Sequence, residues 1–158
     1  MQVVIPSRLN VADYQELRNE LELLASRIKS RFSSGGWIPI HYQFRTLDRI
    51  QLVGHYKAAD IALITPLRDG MNLVSKEYCA SSVDNRGVLI LSEFAGSATQ
   101  LRKGAIVVNP FDIDLTADAI YAAFIMSVEE KEHRMKILRA EVRRNDVHRW
   151  IRRFFGEE

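Results

Sequence analysis

Two carboxylates, Asp69 and Glu77, stand eight residues apart in the run Thr65-Pro66-Leu67-Arg68-Asp69-Gly70-Met71-Asn72-Leu73-Val74-Ser75-Lys76-Glu77-Tyr78. The apolar stretch Ile61-Ala62-Leu63-Ile64 stops at this turn, and an amphipathic pattern starts at once. α/β folds build anion sites in this way, at the carboxyl end of a strand. Helix-start amides point outward unpaired, and Gly70 lets the backbone come close to a ligand. At ~1.5 Å per residue, Glu77 would lie roughly 9–12 Å along the helix from Asp69. A diphosphate separates a sugar ring from a ribose by a similar span. Asp69 would then hold sugar hydroxyls while Glu77 accepts from the ribose, a task that suits a carboxylate because it takes both hydroxyl protons. The amides of Gly70, Met71, Asn72 and Leu73 would face the oxygens between them. Asp-Gly before a helix is, taken alone, more often a turn than a site. Arg68, Asp69, Asn72, Lys76 and Glu77 together exceed what capping needs.

Other chemistries find little support. His41, His55, His133 and His148 have no Cys or carboxylate partners at ligand spacing, so no metal site is expected. Ser92-Glu93-Phe94-Ala95-Gly96 lacks the nucleophile-elbow pattern. Its small residues suit close packing of a helix on a strand, with bordering the ligand as the alternative. Cys79 is the single cysteine and lies in an apolar helix pattern, which excludes a disulfide framework and points to a reduced, cytoplasmic setting. Trp37 and Trp150 read as core anchors. Charge is nearly balanced, 22 basic against 20 acidic residues, so no bulk field recruits nucleic acid or a membrane. The basic residues between Arg134 and Arg153 alternate with Glu and apolar positions, as on a solvated helix face. The first six residues read as a strand rather than a signal peptide, and no apolar run nears the ~20 residues of a membrane span.

The elements that must position the two carboxylates alternate regularly. Strands are expected at 2–5, 38–42, 61–64, 88–91 and 105–108. The last three are nearly all apolar, as for parallel strands covered on both faces. A long amphipathic helix with Val11, Tyr14, Leu17, Leu21, Leu24, Ile28 and Phe32 on one stripe joins the first two, with Asn10 as its N-cap. Further helices are expected at 47–57, 71–82, 95–102 and 116–126, then a charged pair over 129–155. This predicts an α/β, doubly wound Rossmann-like parallel sheet with right-handed crossovers and C-terminal helices. The reading is one domain over 1–158, with a core at 1–128 and a helical tail at 129–158.

The run from Thr65 to Tyr78 resembles the signature of trehalose-6-phosphate synthases, retaining glycosyltransferases of the two-domain GT-B type (family GT20), in their C-terminal donor-binding domain. The family usually has alanine where this chain has Ser75. Val4-Ile5-Pro6-Ser7-Arg8 resembles the family's Pro-Ser-Arg strand-loop. Gly87-Val88-Leu89-Ile90-Leu91-Ser92-Glu93-Phe94-Ala95-Gly96-Ser97-Ala98 resembles its next strand and turn. Val107-Val108-Asn109-Pro110-Phe111-Asp112 resembles its last strand, and Asn145-Asp146-Val147 to Trp150 its closing helix. The resemblance implies transfer of glucose from UDP-glucose to glucose 6-phosphate with retention and without a metal. It implies that Asp69 contacts the donor glucose as the catalytic carboxylate and that Glu77 contacts the ribose. Gly70, Met71, Asn72, Leu73 and Val74 would support the sugar and diphosphate. Arg8 corresponds to an arginine that helps bind the acceptor phosphate, a task suited to a guanidinium fork. Near the base, Phe44 and Leu47 both stand available, and the sequence does not choose between them.

The chain departs from that family in what it lacks. A full member carries an N-terminal acceptor domain and a first βα unit whose Arg and Lys neutralise the donor diphosphate. Losing those charges is expected to cost several orders of magnitude in rate, so this chain by itself is expected to be inactive. In strand order 3-2-1-4-5-6 the missing strand lies between the chain's first and third strands. Two outcomes follow: those strands pair directly, or an open edge invites self-association or pairing with a missing N-terminal domain. The alternatives are a glucosylglycerol-phosphate synthase-like glucosyltransferase domain and a non-catalytic nucleotide-sugar-binding module. UDP, ADP and GDP all remain open as the nucleotide.

Overall fold

A computed structural model describes residues 1–6 and 10–156, with 150 and 153 described by backbone alone. The chain divides into two compact units, Met1–Arg49 and Ile50–Glu158. The first holds β1 (Gln2–Val4), α1 (Ala12–Phe32) and β2 (Tyr42–Phe44). The second holds α2 (Arg49–Ala58, entered from the last residue of the first), β3 (Ile61–Ile64), α3 (Leu73–Ser81) and β4 (Val88–Ser92). It continues through α4 (Ala98–Leu101), β5 (Ile106–Val108), α5 (Ile113–Ile125), α6 (Val128–Arg144) and α7 (Val147–Phe155).

In the first unit β1 and β2 pair in parallel, Gln2 opposite Tyr42 and Val4 opposite Phe44. The β2 strand forms C-terminal to its expected place at 38–42. Pro39 has no N–H to give a ladder, and the three residues of β1 find their partners at Tyr42, Gln43 and Phe44. The α1 helix starts at Ala12, with Val11 in the cap position and no side-chain cap bond, so Asn10 is not the N-cap. Asp13 in its first turn and Lys29 and Arg31 in its last still complement the helix dipole. Gly35 and Gly36, at φ 55° and 85°, turn the chain so that Ser34 and Trp37 form an antiparallel bridge. Trp37 is 61% exposed there, which corrects its reading as a core anchor. The Arg18 guanidinium lies 3.9 Å from the centroid of the Phe44 ring. Arg18 and Phe44, with Tyr14, Leu21 and Tyr42, line a cavity of about 600 Å³ in this unit.

In the second unit three parallel strands pair in the order β3-β4-β5, with Ile61 opposite Val88 and Ile90 opposite Ile106. The central strand β4 is buried along its whole length. Strand periodicity sends its alternate side chains to opposite faces. Leu89 and Leu91 pack with Tyr78, Cys79, Leu101, Met135 and Leu138. Val88 and Ile90 pack on the other side with Val108, Ala119 and Ala123. Each such aliphatic side chain contributes about 1.5–3 kcal/mol when fully buried. Both faces are thus covered, which is why the strand reads as an unbroken apolar run. The α5 helix lays Ala119 and Ala123 on the sheet and leaves Tyr121, Phe124 and Ile125 exposed.

The α6 helix is capped by Ser127, whose hydroxyl accepts from the Glu130 amide at 3.2 Å. It turns Met135 and Leu138 to the core. Its outward charges pair along the helix, Arg134 with Glu130 at 2.7 Å and Lys136 with Glu132 at 3.0 Å. Exposed pairs of this kind contribute little each. The α/β, parallel-stranded architecture is as expected, but the five strands hydrogen-bond as two sheets rather than one. Among the described residues β1 pairs with β2 in the first unit, and β3 with β4 in the second. No helix among them is long and apolar enough to cross a membrane.

Candidate functional site

The turn after β3 is organised around Asp69. Its Oδ1 accepts from the Met71 amide at 3.1 Å and the Asn72 amide at 2.8 Å. Its Oδ2 accepts from Asn72 Nδ2 at 3.0 Å. The Met71 amide and the Asn72 side chain hold the carboxyl below its ordinary range, the direction expected when the charged form is hydrogen-bonded. An ionised carboxylate has about four acceptor positions, and three are filled here. Room remains for one more donor, on the Oδ2 side. Asp69 therefore acts as a fixed negative charge and single acceptor, and is poorly suited to deliver a proton near neutrality.

The helix begins two residues later than the sequence suggests. Asn72 is the cap of α3, in the left-handed region at φ 65° and ψ 83°, and its Oδ1 accepts from the Ser75 amide at 2.9 Å. Asn tolerates that backbone better than most residues do. The helical rise therefore accounts only for Leu73 to Glu77, about 6 Å, and the turn supplies the rest of the separation from Asp69. The Leu73 and Val74 amides open the helix and have no partner within it. The Met71 and Asn72 amides, expected to face a ligand, are bound to Asp69 instead. Along α3 the buried residues are Ser75, Tyr78 and Cys79, at steps of three and four. Leu73, Val74 and Glu77 consequently lie on the exposed side.

A second loop holds this turn from behind. Asp69 and Ala95 form a parallel bridge that prolongs the β3-β4 pairing past both strands. The Gly96 amide donates to Asp69 O at 2.9 Å, and the Ser97 amide to Met71 O at 2.8 Å. A side chain at Gly96 would put its Cβ 2.0 Å from Gly70 O, whereas one at Gly70 would meet nothing within 4 Å. Gly96 is thus the glycine that the backbone contact requires. The Ser75 hydroxyl, fully buried, donates to Asn72 O at 2.9 Å and shares a 2.9 Å hydrogen bond with the Ser97 hydroxyl. Within 92–96, Gly96 serves the turn, while Ala95 packs in the core with Tyr78, Cys79 and Leu91, in line with the close strand–helix packing expected of the run.

Glu77 is exposed, and its Oε2 accepts from the Tyr56 hydroxyl at 3.1 Å. Tyr56 meets the buried Tyr78 ring edge-on, centroids 6.3 Å apart at 78°. The Tyr78 hydroxyl in turn donates to Ala59 O at 3.1 Å. Burial, with the Glu77 carboxylate beside it, pushes the Tyr56 phenol up to about 12. Cys79 is buried, as its pattern implied, and its thiol is pushed up to about 12 by burial.

Asp69, Gly70, Met71, Asn72, Leu73, Val74 and Glu77 thus form one continuous turn and helix start. Arg8 lies outside the described residues. Phe44 and Leu47 belong to the first unit. Tyr56 escaped sequence reasoning, since nothing near it in the chain marks its bond to Glu77. Gly96 was read within the small-residue run after β4, and Ser97 only within the stretch that resembles the family's strand and turn. Among the described residues no three His, Cys, Asp or Glu side chains gather as metal ligands would.

A parallel α/β unit that presents a polar turn and a helix start beyond its strand ends belongs to the Rossmann-like class of ligand-binding folds. The match is closer than class. Residues 1–157 fit the model of glycosyltransferase family 20, and the chain belongs to that family. It is 46% identical over 154 residues to trehalose-6-phosphate synthase of Mycobacterium avium, covering 98% of this chain and 31% of that protein. It is 43% identical over 150 residues to the UDP-forming α,α-trehalose-phosphate synthase A of Dictyostelium discoideum, covering 95% of this chain and 20% of that one. An E. coli structure described as bound with UDP-2-fluoro glucose superposes with a TM-score of 0.94 at 40% identity, over 99% of this chain and 35% of that one. A Burkholderia xenovorans α,α-trehalose-phosphate synthase in complex with glucose-6-phosphate gives 0.93 at 40% identity, over 99% and 34%. The chain spans at most about a third of the curated relatives it matches.

Proposed function

We propose that this chain forms the donor-binding part of an α,α-trehalose-phosphate synthase, which transfers glucose from UDP-glucose to glucose 6-phosphate with retention. The observation that carries the reading is the Asp69 turn: a carboxylate fixed by three donors, with one acceptor position left, directly before an exposed helix start that bears Glu77. Asp69 would take one hydroxyl proton of the donor glucose. The Leu73 and Val74 amides, at the positive end of α3, would face the diphosphate, where negative charge grows as UDP departs. Glu77 would take the ribose hydroxyls, and Arg8 the acceptor phosphate. Support comes from family membership, from the UDP-2-fluoro glucose of the E. coli structure and from the glucose-6-phosphate of the Burkholderia xenovorans one.

Because the chain covers only about a third of such proteins, donor binding without turnover is the expected behaviour of the chain by itself. Calorimetric titration with UDP-glucose and ADP-glucose, beside an Asp69→Ala, Glu77→Ala double variant, tests the assignment. Saturable binding of one donor, lost in the double variant, is expected. Binding that survives both substitutions would move the site elsewhere.

A further inference from the structure

We propose that Tyr56 is a positioning residue for the ribose contact, holding the Glu77 carboxylate in the orientation that accepts a vicinal diol. The proposal rests on the reading of Glu77 as that contact. A glutamate on an exposed helix face ordinarily samples many rotamers, and ordering it on binding costs affinity. Here the Tyr56 hydroxyl donates to Oε2 at 3.1 Å from a residue 21 positions away, on the last turn of α2. Tyrosine has two side-chain torsions, so it holds an orientation at small entropic cost.

The tether is itself anchored. Tyr56 rests edge-on against Tyr78, at 6.3 Å between centroids. Tyr78 is wholly buried and tied through its own hydroxyl to Ala59 O. Gly87 leaves room for that hydroxyl, since a Cβ there would stand 2.3 Å from it. Core packing thus fixes Tyr78, Tyr78 steadies Tyr56, and Tyr56 aims Glu77. With its pKa raised to about 12, the Tyr56 phenol stays a donor throughout the neutral range. The tether occupies one acceptor position on Oε2. Oε1 and the second lone pair of Oε2 remain for the two hydroxyls of a diol. A surface hydrogen bond with no role in binding would have no reason to discriminate between ligands with and without that diol.

The test uses the full chain as wild type, Tyr56→Phe, Glu77→Gln and the double variant. Each is titrated with UDP and with 2′,3′-dideoxy-UDP, which lacks both hydroxyls. Phenylalanine keeps the ring against Tyr78 and removes only the donor. Wild type is expected to prefer UDP, and Tyr56→Phe to weaken UDP by about 2- to 10-fold while leaving the dideoxy analogue unchanged. The double variant should bind UDP no worse than Glu77→Gln alone. Equal weakening of both ligands in Tyr56→Phe, or of neither, would overturn the proposal while leaving the Glu77 reading intact. If wild type fails to distinguish the two ligands, the ribose reading itself fails and takes the proposal with it. A second measurement needs no ligand: NMR side-chain couplings of Glu77 should report one dominant rotamer in wild type and averaging in Tyr56→Phe. Averaging already present in wild type would overturn the tether.

Discussion

Gly96→Ala puts the stacked-loop description of the site at risk. The new Cβ would stand 2.0 Å from Gly70 O, 2.7 Å from Gly70 C and 3.2 Å from Met71 N, all of them backbone atoms that no rotamer change can move. Relief requires the two loops to part by roughly 1 Å or more. That parting would stretch the Gly96 amide to Asp69 O bond, now 2.9 Å, and the Ser97 amide to Met71 O bond, now 2.8 Å. Each contributes about 0.5–1.5 kcal/mol net, and overpacking itself costs typically about 1–3 kcal/mol. A loss of about 2–6 kcal/mol follows, a large part of the ~5–15 kcal/mol by which domains are stable. Urea unfolding gives the global number. Hydrogen exchange at the Gly96 and Ser97 amides shows whether the loss begins there. Gly54→Ala is the control: in the middle of α2 with nothing within 4 Å of the new Cβ, it should stabilise by about 0.5–1 kcal/mol. An unchanged urea midpoint with unchanged exchange in Gly96→Ala would refute the close contact and, with it, the account of how the turn is held.

Other expectations follow from the same geometry. Gly70→Ala, which meets nothing within 4 Å, should keep the wild-type urea midpoint and weaken UDP-glucose binding in calorimetry if a ligand approaches that backbone. Ser75→Ala removes a buried hydroxyl bonded to Asn72 O and Ser97, and should cost about 1–3 kcal/mol in urea unfolding. The folded-state pKa of Asp69 lies below its ordinary value of 3.8, so its contribution to stability is present above that value and is lost as pH falls through the lower one. Asp69→Asn should therefore show a shallower acid limb in urea midpoints measured from neutral pH downward. With its thiol raised to about 12, Cys79 should resist a thiol reagent at pH 8 in the folded chain and react at once in denaturant.

Local chemistry settled what the sequence alone could settle. The run Ile61-Ala62-Leu63-Ile64 became a strand with no boundary error, because a short apolar segment closed by Thr-Pro has few other options. The run from Leu67 to Glu77 revealed its polar crowding because all its members lie within three turns of chain. Where two local solutions competed, the sequence could not choose between them. In Asp69-Gly70-Met71-Asn72 the side-chain oxygen of either Asp69 or Asn72 can cap a helix. Asn72 does so, since its left-handed backbone leaves Asp69 free to take the Met71 and Asn72 amides. The second strand shifted from 38–42 to Tyr42–Phe44 because pairing with β1 outranked β-branched content.

Only the tertiary structure decided the rest, for one physical reason. Tyr56 meets Glu77 across 21 residues, Ser75 meets Ser97 across 22, and Gly96 lies on Gly70 across a whole βα unit. Such pairs have no periodicity and no spacing rule. The last two exist because parallel pairing of β3 with β4 carries the loops beyond the strand ends side by side, and the first because α2 and α3 bring their side chains together across β3.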